Sequence, residues 1–281
     1  MLAQTIISRL ADWIPRSLKI GVRGDHDSPS RVANAIHSLL NWLPAERYPI
    51  LECGGVLKGF RMRVDWRIHR SFAYGSWEPE VVDAIQRNVT RGMTAIDIGA
   101  HGGFYSLLFS KMVGPAGRVF AFEPLPANIR VLEENILLNG IHNIFSRHEA
   151  IADFSGEMAF QFPHHNLSLV AGPVAAGDSL GTFLVPCISL DDFMHQECVS
   201  VDFIKMDVEG AETDVLLGAR NLLHAFHPCM MIELHDEGNP AGPHPAVTLL
   251  EDAGYRIEWL ARYHSGARIL ARWNASPPAA D

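Results

Sequence analysis

The sequence predicts an α/β domain built on a mostly parallel sheet, preceded by a shorter helical segment. Three observations carry this. From Trp77 onward, short apolar strands alternate with helical stretches. A turn containing three glycines, Gly99, Gly102 and Gly103, joins the first of those strands to its helix. The chain then closes on two strands around Ser265-Gly266. Strand and helix in regular alternation bury a parallel sheet on both faces. Right-handed crossovers set the wrapping.

Taken in chain order, residues 1–74 read as a first segment and 75–281 as the main domain. Leu2, Ile6, Leu10 and Ile14 recur every four residues and form one helical stripe that ends at Pro15. A second stripe runs Val32, Ile36, Leu39, Leu40, Leu43 and stops before Pro44. Both suit docking onto the main domain or onto a twin subunit as a homodimer interface. Residues 51–66 alternate around Gly54-Gly55 and read as a short hairpin. The parallel strands are expected at Thr94–Ile98, Arg118–Glu123, Asn143–His148, Val201–Asp207 and Cys229–His235, with helices near 103–113, 126–139 and 211–225. The closing hairpin is Tyr255–Ala261 with Arg268–Trp273. Residues 156–190 interrupt the alternation. Only EMAFQF (157–162) reads as strand, and the rest reads as an irregular cover over a site, with Phe160, Phe162, His164, His165 and Asn166 as acceptor lining.

Composition narrows the function classes. Apolar residues make up 48% of the 281 and charged residues 20%, which supports a packed core. A net charge of -9, with no basic block, argues against a nucleic-acid partner, because phosphates demand clustered Lys and Arg. No apolar run exceeds four residues, so no transmembrane segment is expected. Four scattered cysteines with no CxxC pair suit reduced thiols and a cytoplasmic setting.

The chemistry concentrates at three strand ends. Asp97-Ile98-Gly99-Ala100-His101-Gly102-Gly103 follows an apolar strand and opens a helix, where free amides can face an anionic or polar group. Glu123 stands twenty residues past Gly103, at the end of the next strand, where a carboxylate can take both hydroxyls of a ribose. A dinucleotide loop needs glycine at the third and sixth positions, and here these are His101 and Phe104. Asp97 suits the positive charge of S-adenosylmethionine and would repel a phosphate. The methyl donor is therefore preferred over NAD. The second cluster, Lys205 to Glu212, joins strand to helix, with Asp207 at the strand end and Glu209 and Glu212 in the first helical turn. For Glu212, plain capping is the competing explanation. The third is Glu233-Leu234-His235-Asp236, in which Glu233 and His235 share a strand face.

Residues 92–140, SLDDF (189–193), VDFIKMDVEGAETDVLLGAR (201–220), MIELH (231–235) and the upstream YGSWEPE (74–80) together resemble the FkbM family of S-adenosylmethionine-dependent methyltransferases. The resemblance spans residues 75–255, and KMDVEGAE is its specific part. It implies the Rossmann-like class I methyltransferase fold, with seven strands and a reversed final hairpin, and methyl transfer to a hydroxyl of a sugar or natural product. By residue, it implies that Gly99, Ala100, Gly102 and Phe104 line the methionine end of the donor. Glu123 would take the ribose, with Pro124 and Asn128 nearby. Glu149, Ala150 and Ile151 would border the adenine, Asp207 would sit near the transferring methyl, and Glu78 would reach the amino or carboxylate end. His101 and Gly103 depart from the family's loop.

A hydroxyl needs a base, and His235 is the expected one, oriented by Asp207 or Glu233. The alternative is a divalent metal held by Asp207, Glu209 and Asp236, or by His235. Two rival functions compete with it: an NAD-dependent oxidoreductase, and a non-catalytic cofactor-binding interaction module marked by an apolar plug beside Asp207 and His235.

Overall fold

The computed structural model describes residues 50–64, 71–72, 77–161, 172–173, 182–235 and 243–274. The chain divides into two compact units, Met1–Trp77 and Glu78–Asp281. In the first, β1 (Ile50–Glu52) pairs antiparallel with β2 (Arg61–Arg63) across a 3-10 turn at Gly55–Leu57, as the alternation around Gly54-Gly55 suggests. The two N-terminal stripes lie outside the described residues.

The second unit begins with α1 (Pro79–Asn88). Next come β3 (Thr94–Ile98), α2 (Phe104–Val113), β4 (Arg118–Phe122), α3 (Pro126–Leu138) and β5 (Ile144–Arg147). Four strands of a smaller sheet follow: β6 (Ala150–Ala152), β7 (Gly156–Gln161), β8 (Gly172–Pro173) and β9 (Thr182–Ser189). The chain then returns to the main sheet through α4 (Leu190–Glu197), β10 (Phe203–Met206), α5 (Glu212–Leu217), α6 (Arg220–Ala225) and β11 (Cys229–His235). It ends with α7 (Pro245–Asp252), β12 (Tyr255–Tyr263) and β13 (Gly266–Trp273).

The main sheet has seven strands in the order β12-β13-β11-β10-β3-β4-β5. Strands β11, β10, β3, β4 and β5 are parallel, while β13 runs antiparallel to both β11 and β12. This is the class I methyltransferase fold, with its reversed hairpin. Every residue of β3 (TAIDI) and of β10 (FIKM) is buried. Covered faces on both sides explain why these central strands are mostly apolar, with Asp97 and Lys205 as the buried charged exceptions. Phe122 and Phe193 meet edge-on at 5.0 Å in the core, and Phe109 packs beside Phe203.

The 156–190 region differs from the irregular cover that the sequence suggests. β6, β9, β7 and β8 form a second, four-stranded sheet, and β9 alone has eight residues. Pro186 hides that strand from pattern reading, because proline is disfavoured inside ladders. It is tolerated here because the β6 ladder starts only at Cys187. Phe162, His164, His165 and Asn166 lie outside the described residues.

The expected helix at 211–225 is two helices, broken at Gly218. A Cβ there would sit 2.3 Å from the Ala152 carbonyl oxygen, so only glycine permits this approach of helix to sheet. Asp191 then caps α6 by accepting from Asn221 N (3.0 Å) and Leu222 N (2.9 Å). Among the described residues, no helix is long and apolar enough to cross a membrane.

Candidate active site

Two strand-to-helix turns touch at the carboxyl edge of the sheet. The first leaves β3 through Gly99, whose φ is +75°. A Cβ on Gly99 would lie 1.9 Å from the carbonyl oxygen of Asp207, in the second turn. Glycine is therefore required both for the backbone conformation and for the contact. His101 also adopts a left-handed conformation (φ 49°). Histidine tolerates this region better than bulky or β-branched residues do, which accounts for its place in the loop.

Four amides of this loop bond to the protein itself. Gly99 N and Ala100 N both donate to the Phe122 carbonyl at 3.0 Å, and Gly103 N donates to Ala100 O at 2.8 Å. His101 N donates to Glu123 Oε2 at 2.7 Å. These four amides hold the loop's shape and fix Glu123. The other Glu123 oxygen accepts from Leu125 N (2.8 Å) and Asn128 Nδ2 (3.3 Å). Burial pushes the Glu123 carboxyl up to about 7, although these hydrogen bonds from Leu125, His101 and Asn128 pull the other way.

A cleft of about 760 Å³, including its open mouth, lies along these turns. Gly99, His101, Glu123, Pro124 and Asn128 line it from the first turn and the end of β4. Ala150 and Ile151 of β6 and Met158 and Phe160 of β7 add apolar lining. Asp207, Val208 and Glu209 line it from the second turn, which touches the first at Gly99. The smaller sheet therefore supplies part of the cleft. Ala100, Gly102 and Phe104, expected on the wall, are not on it. Phe104 is buried at the start of α2 against Tyr105, and Gly102 turns its carbonyl to Asn135 Nδ2 at 2.8 Å.

Asp97 is also absent from the wall. It has no solvent exposure, accepts from Ser106 Oγ at 2.5 Å, and lies 3.9 Å from Lys205 Nζ. The neighbouring cation that balances it belongs to the protein, because β3 and β10 pair with Asp97 opposite Lys205. Lys205 is itself buried, 3.4 Å from Asp207 Oδ2 and 5.0 Å over the Tyr105 ring. Burial disfavours its charge, but Asp207 and Asp97 outweigh that and raise its pKa. Glu78 and Glu233 are drawn away by Arg268. The guanidinium lies 2.6 Å from Glu78, 2.7 Å from Glu80 and 3.1 Å from Glu233. Tyr105 donates to Glu78, and Tyr263 donates to Glu233.

The residue that orients His235 is therefore Glu212, not Glu233. His235 Nδ1 lies 2.8 Å from Glu212 Oε1, and Glu212 has no solvent exposure. Its other ring nitrogen, Nε2, faces Glu209 Oε2 at 3.4 Å and Asp207 Oδ1 at 4.0 Å. Burial opposes charge on this ring, but the bond to Glu212 and the negative charges of Glu209, Glu212 and Asp207 prevail and push its pKa up to about 9. The neutral base expected from the sequence is thus the minor form at neutral pH. His235 stands behind the cleft wall and meets it through Asp207 and Glu209. Asp236, the fourth candidate metal ligand, lies outside the described residues.

The cleft fits a cationic nucleoside better than a dinucleotide. Glu123, Glu149, Asp207 and Glu209 line it, and no lysine or arginine does among the described residues. Such walls repel a pyrophosphate and attract a sulfonium. A model of the methyltransferase FkbM domain matches residues 97–257, more than half of the chain. The chain belongs to the FkbM methyltransferase family. A methyltransferase of Sordaria araneosa, sdnD, is 26% identical over 200 residues, covering 58% of this chain and 76% of that one. A protein-L-isoaspartate O-methyltransferase of Aeropyrum pernix is 29% identical over 80 residues, 28% of this chain and 30% of its own. The crystal structure of the FkbM methyltransferase from Methylobacillus flagellatus superposes with a TM-score of 0.45 at 16% identity, covering 86% of this chain and 59% of that one.

The protein is thus an S-adenosylmethionine-dependent methyltransferase, which removes the NAD-dependent reading. Among the described residues, the cleft wall beside Asp207 is formed by Val208, Glu209 and Ala211. Two residues of the second cluster, Glu212 and Lys205, received their partners only from the structure. Glu212 looks like an ordinary helix-start acid, and only the position of β11 beside β10 brings His235 to it. Lys205 looks like a strand residue. Its signal is a lysine inside a four-residue strand that is buried throughout, since lysine is almost never fully buried unless paired.

Proposed function

We propose that this methyltransferase methylates a hydroxyl oxygen of a small polyhydroxylated molecule, a sugar or a natural product. One observation carries the reading: the acceptor end of the cleft is walled by the carboxylates of Asp207 and Glu209, backed by His235 and Glu212. A hydroxyl must shed a proton as it attacks, and proton-accepting groups are gathered here. When bound, the donor supplies an electrophilic methyl on a sulfonium. Glu123 would accept hydrogen bonds from the ribose, while Ala150, Ile151 and Phe160 would cover the adenine and exclude water there. Asp207 and Glu209 accept the hydrogen bond of the attacking hydroxyl and align it with the methyl. The C–O bond forms as the C–S bond breaks, and the hydroxyl proton leaves through this cluster. Glu209 is suited to that, because burial and the nearby Asp207 charge both raise its pKa and make it more basic than an ordinary carboxylate.

The test is a donor-consumption assay against a panel of hydroxylated sugars and macrolides, with the product examined by mass spectrometry and NMR. A methyl ether is expected. Asp207→Asn and Glu209→Gln should each lower turnover by about 10²-fold or more, with donor affinity retained. A product methylated on nitrogen, or unchanged turnover in both variants, would overturn the reading.

A further inference from the structure

We infer that Asp207, Glu209 and His235 form a binding site for one hard divalent cation, of the Mg²⁺ or Mn²⁺ class, at the acceptor end of the cleft. The inference rests on the reading that the acceptor hydroxyl enters beside these residues. Asp207 Oδ1, Glu209 Oε2 and His235 Nε2 all lie within 4.8 Å of one another. Ligand atoms around a cation with bonds near 2.1 Å are separated by roughly 3–4.5 Å, so small side-chain movements suffice to close the set. The three groups come from two adjacent parallel strands, Asp207 and Glu209 following β10 and His235 ending β11.

Three further features point the same way. His235 Nδ1 is held at 2.8 Å by Glu212, which has no solvent exposure. A ligating histidine almost always has its second ring nitrogen fixed by such a carboxylate or carbonyl, which aims the first. Glu212 Oε1 also accepts from Gly210 N at 3.1 Å, while Oε2 is buried without a hydrogen-bond partner among the described residues, so this carboxylate adds buried negative charge behind the histidine. Asp207 divides its oxygens: Lys205 sits 3.4 Å from Oδ2, and Oδ1 is turned to the histidine side. The side chains of Asp207 and Glu209 are 31% and 46% exposed, so the remaining coordination positions open towards the cleft. With a cation bound, Asp207 and Glu209 would hold it instead of taking the hydroxyl proton; the cation would lower the pKa of the acceptor hydroxyl, and the proton would pass to water at the open mouth.

The experiment uses the full chain, stripped with a chelator and titrated with Mn²⁺ alone, followed by electron paramagnetic resonance and calorimetry. One Mn²⁺ per chain is expected. Glu209→Gln and His235→Gln should each weaken it by at least about tenfold, and Glu212→Gln by about 10- to 100-fold. Donor binding, measured separately, reports that the variants are folded. Chelator should stop methyl transfer, and Mn²⁺ should restore it. Absence of Mn²⁺ binding at millimolar concentration, binding unaffected by the first two substitutions, or full activity in chelator would each overturn the site. In that last case, methylation of a hydroxyl would stand while the cation falls. A bound cation with no hydroxyl methylated in any acceptor would overturn the proposed function alone.

Discussion

His235 Nδ1 and Glu212 Oε1 lie 2.8 Å apart, and Glu212 has no exposure to solvent. The ring meets three carboxylates, of Glu209, Glu212 and Asp207, which carries its pKa to about 9. In metal-free protein, Glu212→Gln should lower that value, since it removes the hydrogen bond and one negative charge together. A histidine raised from 6.5 stabilises the fold fully below pH 6.5, and that contribution fades as pH climbs through 9. NMR titration of the His235 ring checks the shift, and an unmoved pKa would contradict the geometry.

Glu123 gives a second pH dependence. Its carboxyl, ordinarily near 4.5, titrates at about 7. The ionised form accepts ribose hydrogen bonds better, so donor affinity should be low below pH 6 and rise as pH passes 7. Without ligand the sign on stability is opposite. The buried charge costs nothing below pH 4.5, and the penalty grows as pH rises through 7. Glu123→Gln should flatten the pH profile and weaken the donor by about tenfold or more. Calorimetric titration across pH 5.5–8.5 measures both.

Lys205 should be a stability hinge. Replacing it with Met leaves Asp97 buried beside Asp207 with no cation, and breaking a buried pair costs about 3–5 kcal/mol. The double variant Lys205→Met/Asp97→Asn should recover part of that loss. Urea unfolding of the single and double variants decides it, and purely additive losses would argue against the pairing.

Gly99→Ala tests the contact between the two turns. The added methyl meets the Asp207 carbonyl and sits at φ +75°. A loss of about 3 kcal/mol is expected, together with weaker donor binding, because both turns must shift. Thermal unfolding and donor titration measure these separately.

The parallel strands and the closing hairpin were legible because strands buried on both faces are mostly apolar, and β3 and β4 begin where the pattern puts them. Glu123, Asp207 and the Gly99 turn were legible because cleft residues of such sheets stand at strand ends, which is a matter of local spacing. The smaller sheet was not, because β9 contains Pro186 and pairs with strands more than twenty residues away. Asp97 was found but misplaced: its pattern marks a strand end, and only the register of β3 against β10 sets Lys205 across from it.

Alone, the chain's order of residues determined which side chains end the strands and hence the kind of ligand they meet, since hydrophobic period and turn chemistry act over a few residues. Which acid holds which base was left to the packed molecule. Glu212 and His235, 23 positions apart, and Glu78 and Arg268, 190 positions apart, are joined by strand order and register, and no local pattern encodes either.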